Sequence, residues 1–250
     1  MKQVLKTEAF SLFSIITGVI GFAMQSWLFS TVDNKGLLTY HHISAVISFL
    51  LLAAVVAVNM MFLRNFKPTG EYAHLFPKSP VAGVGSILAA VGLGISAMLP
   101  VASPVLRIFV RSFGLLSVAG LALGGYTRLQ GKHPNCLIYG AVSVFLIFRT
   151  LVFCQSWSAE VQVEIYFFPL LASLSLLMVA YYRAAMGANL KNCRQYLFFR
   201  QLALFCCLVS LAGPDRLFYL SGAIWMATDF CVPDSFGKYA QQGGKHDVSA

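Results

Sequence analysis

Long apolar runs recur along this chain with only short polar breaks between them, and that spacing limits its fold more than any other feature. A helix rises about 1.5 Å per residue, so about 20 such residues cross the roughly 30 Å hydrocarbon of a bilayer. Runs at 9–31, 41–63, 81–99, 104–127, 136–157, 162–182, 195–213 and 216–232 meet or approach that length. The breaks carry turn chemistry, as in Asp33-Asn34-Lys35-Gly36, Lys67-Pro68-Thr69-Gly70 and Gly213-Pro214-Asp215. Proline there lacks a backbone donor and glycine permits positive φ, so each stops a helix.

Composition removes the soluble alternative. Of 250 residues, 58% are hydrophobic and 11% charged, whereas soluble domains carry about 25% charged residues. The expectation is an all-α, polytopic transmembrane helical bundle with eight spans. Residues 1–232 would form a single transmembrane domain, and 233–250 a polar cytoplasmic tail expected to be mobile. Lys2 and Lys6 precede an apolar run too long for a cleaved leader, so the first run reads as a retained span. Arg200 and Asp229 interrupt the last two short runs. That leaves a seven-span alternative in which 216–232 lies in the interface.

The basic residues set the orientation. Lys2, Lys6, Arg64, Lys67, Lys78, Arg128, Lys132, Arg183, Lys191, Arg194, Arg200, Lys238 and Lys245 fall on one side of the eight-span scheme, and Lys35 and Arg216 on the other. Cytoplasmic loops collect Lys and Arg, which predicts both termini inside. The net charge of +9 is thus a topological signature. No basic run exceeds two residues, so nucleic acid is not an expected partner.

Polar residues within the spans concentrate toward the expected outer side. Arg107 and Arg111 share a face of the fourth span at i, i+4. Arg149 lies eight residues before the end of the fifth. Glu160 and Glu164 flank the start of the sixth, Gln25 sits near the outer end of the first, and His41 opens the second. An arginine at this depth costs a few kcal/mol, so it needs a partner or water. One reading pairs Arg149 with Glu164, and Arg107 or Arg111 with Glu160, as structural ion pairs. The other treats three arginines against two glutamates as surplus positive charge in a polar vestibule, a binding site for an anionic or zwitterionic small molecule or an outer-leaflet headgroup.

Other candidates read as structure. His41 and His42 are adjacent and point apart on a helix, which suits a headgroup-facing role. Asp229 reads as a cap near its helix end, Pro169 as a kink, and Trp27, Trp157, Tyr40, Tyr181 and Tyr182 as interfacial anchors. The six cysteines have no metal-ligand spacing and read as small apolar residues. No facing mid-span histidines, HExxH, GxSxG or Walker A motif occurs, so neither a cofactor, a metal nor an enzymatic activity is expected. Small-residue stripes at Ala82, Ser86, Ala90 and Gly94, at Gly120 and Gly124, and at Ala180, Ala184 and Ala188 suit close helix packing, within the chain or along a homodimer seam.

In overall style the chain resembles small integral membrane proteins of low-GC Gram-positive bacteria. No diagnostic motif carries that resemblance, so it implies a bacterial plasma membrane and no activity. The residues themselves favour a permease-like or sensory protein that binds an anion from outside. The alternative is a non-catalytic membrane-embedded subunit of a larger complex.

Overall fold

The computed structural model describes residues 2–30, 43–64, 76, 78–101, 103–132, 136–157, 163–188 and 193–230. Among them the chain is all helix: α1 Lys2–Ser30, α2 Ile43–Arg64, α3 Pro80–Met98, α4 Pro104–Gln130, α5 Cys136–Trp157, α6 Val163–Gly187, α7 Cys193–Ser210 and α8 Arg216–Phe230. The helix starts follow from their sequence. Ser79 and Ser103 accept hydrogen bonds from the amides of Ala82 and Leu106, each just before a proline whose missing donor costs nothing in a first turn. Gly131 closes α4 in the left-handed conformation, φ 74°.

Six helices, α1 to α6, are long and apolar enough to cross a membrane. They bear a lipid-facing exterior: Leu50, Met61, Ile108 and Leu137 are all exposed, as are Trp27 and Tyr181 near helix ends. In water such a surface would be unstable; in lipid it needs no cover. The molecule is a helical membrane protein. α7 differs in kind, with 13 of its 18 residues buried, including Cys206 and Cys207. It packs against α1, α2, α6 and α8. α8 has 15 residues, a rise of about 22 Å, which is short of the hydrocarbon thickness.

Consecutive helices α3 to α8 each pack on the next, and α8 returns to α3, so the six close into a ring. The α1–α2 hairpin docks outside it on α7. Neighbours in the ring run antiparallel. Gly83 and Gly125 show why α3 and α4 approach so closely: a Cβ on Gly125 would lie 2.7 Å from the Gly83 carbonyl oxygen. The α4–α5 contact uses Gly120 and Gly124 against Ile138 and Tyr139, and Gly94 meets Val118. The small-residue stripes of α3 and α4 are therefore occupied inside the chain.

Buried hydroxyls are largely self-satisfied. Thr17, Ser48, Ser86, Ser96, Ser143, Thr150, Ser175 and Ser221 each donate to a carbonyl three or four residues earlier. Where water is absent, this is the nearest acceptor a helix offers.

Candidate functional site

The recessed turn between α7 and α8 organises the end of the ring opposite the lysine-rich one. Arg149 is 3% exposed and its Nη2 lies 3.1 Å from the Asp215 carboxylate, whose side chain is 28% exposed. The Arg149 guanidinium also sits over the Phe153 and Phe218 rings, at 4.8 and 5.6 Å from their centroids. Because Arg149 lies eight residues before the end of α5, about 12 Å along its axis, Asp215 must stand well below that end to reach it. The shortness of α8 makes this recess possible. Asp215 adopts φ 61°, the sole positive φ at a non-glycine among the described residues. Aspartate tolerates that conformation better than most residues. Its carboxylate also stands at the positive end of the α8 dipole.

The other expected site residues separate. Arg107 donates from Nε and Nη2 to the Val101 carbonyl at 3.0 and 2.7 Å, tying the α3–α4 turn to the first turn of α4. Arg111 is exposed on the same flank of α4 as Ile108 and Leu115, facing away from the ring interior. Arg107, Arg111 and Arg149 thus occupy three environments: a turn, the outer flank of α4 and the ring. Arg149 pairs with Asp215, and its expected pairing with Glu164 rests on a side chain outside the described residues. Glu164 is in the first turn of α6, but its side chain lies outside the described residues, as do Glu160, His41 and the tail from 231 onward.

Gln25 is 2% exposed, and neither atom of its amide has a hydrogen-bond partner. Gly21 packs on Val209 and Gly213 on Phe29. α1 and α7 therefore run side by side in parallel, with Gln25 level with residues 209–213. Ser210, in that interval, has a buried hydroxyl that also finds no partner. Both, like the buried Ser117 hydroxyl, depart from the self-satisfying habit of most buried serines and threonines.

Beside this pair the surface opens into two adjoining hollows of about 580 and 520 Å³. Both are lined by Phe29, Ala212, Arg216 and Leu217. The first adds Leu99, Gly213, Pro214 and Asp215; the second adds Phe22, Ser26, Ser30, Leu211 and Leu220. Together they form a groove between α1 and α8, with exposed Arg216 common to both parts and apolar walls along its length. Asp215 and Arg216 look like turn residues in sequence. What marks them is the tertiary position of a short α8, for which the chain gives no local sign.

No protein-family model, curated protein or solved structure matches the chain. Among the described residues no group of three histidine, cysteine or acidic side chains is placed to hold a metal.

Proposed function

We propose that this protein binds an anionic amphiphile, a molecule with a carboxylate or phosphate head and an apolar body, in the groove between α1 and α8. The observation that carries the reading is Arg216, an exposed guanidinium common to two adjoining apolar hollows. Arg149, the more conspicuous residue, is engaged by Asp215 and two aromatic rings and serves to hold the recessed turn. Arginine suits the head because its fork presents paired donors to a carboxylate or phosphate. The walls contributed by Phe22, Phe29, Leu217 and Leu220 suit a hydrocarbon chain. In this reading the chain crosses a bacterial plasma membrane eight times, with both termini in the cytoplasm and the groove opening to the outer leaflet. Binding there would serve sensing or movement of the amphiphile. The small-residue faces used within the chain weigh against the alternative of a docking subunit.

Electron paramagnetic resonance of spin-labelled lipids in reconstituted membranes tests the reading. Wild type should immobilise labelled phosphatidic acid in excess of labelled phosphatidylcholine, and Arg216→Gln should remove that excess while leaving the protein folded. An unchanged preference in the variant would refute the groove as the anionic site.

A further inference from the structure

The flank of α4 that faces away from the ring carries a charge for which the groove has no use. Arg111 is exposed there. Around it Val105, Ile108 and Leu115 are exposed too, as part of the lipid-facing exterior. No side chain or carbonyl among the described residues pairs with the Arg111 guanidinium. Arg107 lies one turn nearer the helix start on the same face. It spends Nε and Nη2 on the Val101 carbonyl, which holds it at the α3–α4 turn. None of Arg107, Ile108 and Arg111 lines the groove.

Depth decides what an arginine can meet on such a flank. α4 has 27 residues, about 40 Å of helix against about 30 Å of hydrocarbon. Centred in a bilayer it projects about 5 Å at each end. Arg111, seven residues after Pro104, then has its Cα about 5 Å beneath the boundary. Helical side chains lean toward the start of their helix, and a long arginine stem carries its head that way. The guanidinium therefore reaches the level of the lipid phosphates, while Leu115 lies deeper, against acyl chains. An arginine facing hydrocarbon without a partner is unfavourable, and a phosphate removes that cost. A second copy of the chain fits less well, because a two-fold contact centred on this flank would bring Arg111 toward its own copy. From this geometry we infer that Arg111, with Arg107 beside it, binds the phosphate of an anionic phospholipid in the leaflet at the α3–α4 turn. The guanidinium fork matches two phosphate oxygens. A phosphate with no ammonium group of its own gains most from it, so anionic lipids outrank phosphatidylcholine.

The test uses the full chain with Leu115→Trp as a reporter on this flank, and with Trp27→Phe and Trp157→Phe. Trp225 is buried and does not meet lipid. In phosphatidylcholine vesicles, quenching of the reporter by brominated phosphatidic acid is compared with quenching by brominated phosphatidylcholine at equal mole fraction. The acid should associate about fivefold more strongly, and Arg111→Gln should bring the two lipids level. Arg216→Gln, which removes the charge from the groove, should leave the preference intact. Equal quenching by the two lipids with Arg111 in place would overturn the proposal. A preference that survives Arg111→Gln, or that disappears in Arg216→Gln, would do the same. Absence of quenching by either lipid would show the flank covered by protein, and would also overturn it. So would loss of the preference in excess inorganic phosphate at constant ionic strength, which would assign a free anion.

Discussion

Arg149 holds a positive charge where almost no water reaches it, and Asp215 is the group that makes this tolerable. Removing either partner strands the other, a loss of about 3 kcal/mol or more for a buried pair. Asp215→Asn is the informative change, because asparagine also accepts positive φ and so isolates the charge from the backbone. Thermal unfolding in mild detergent should show a large fall in melting temperature for Asp215→Asn and for Arg149→Gln. The double variant should fall by less than the sum. Full additivity would mean that the 3.1 Å contact contributes nothing. Arg107→Gln should cost about 1.5–3 kcal/mol, since the Val101 carbonyl loses two charge-assisted bonds. Arg111→Gln, exposed on the flank of α4, should stay within about 0.5 kcal/mol of wild type. These two arginines share a helix face in sequence, yet the same measurement should separate them.

At the scale of elements, helix contacts rather than propensity decide the effect of a side chain. Gly125→Leu would drive a side chain into the Gly83 carbonyl and the side chains of Ile87 and Ser86. It should cost about 1–3 kcal/mol or more by overpacking. Gly140, whose added Cβ would meet nothing within 4 Å, should accept alanine with a gain of up to about 1 kcal/mol. Unfolding of the two variants side by side checks the α3–α4 seam directly. The helices themselves were legible from apolar run length: the expected 104–127 and 136–157 lie within or coincide with α4 and α5. In the structure Ser103-Pro104 and Gly131 set the ends of α4, which runs three residues past the expected 127. The partner of Arg149 was not legible, because helix order around a ring is set by contacts between elements distant in sequence. Asp215 stands 66 residues from Arg149, and only closure of α8 between α3 and α7 brings them together.

For the molecule as a whole, lipid is the solvent that reconciles an exposed apolar exterior with a charged interior. The ring carries an arginine–aromatic cluster at each end, Arg149 with Phe153 and Phe218, and Arg183 with Phe76, Tyr139 and Tyr196. Run length alone anticipated a bundle. It gave no sign of the arginine–aromatic contacts at the lysine-rich end, since Arg128 and Arg183 read as topological charges. Orientation is open to direct test with a membrane-impermeant maleimide on intact cells. Lys35→Cys should be labelled, whereas Lys132→Cys and Lys245→Cys should react only after permeabilisation; labelling at 245 in intact cells would select the seven-span scheme. The central claim is a division of labour, with Asp215 holding the fold and its neighbour Arg216 holding the ligand. The most direct measurement is the melting temperature of wild type, Asp215→Asn and Arg216→Gln, each with and without saturating phosphatidic acid. The account predicts that Asp215→Asn melts early, and that Arg216→Gln melts like wild type without lipid but loses the lipid-induced rise. A full lipid-induced rise in Arg216→Gln, or a wild-type melting temperature in Asp215→Asn, would contradict it.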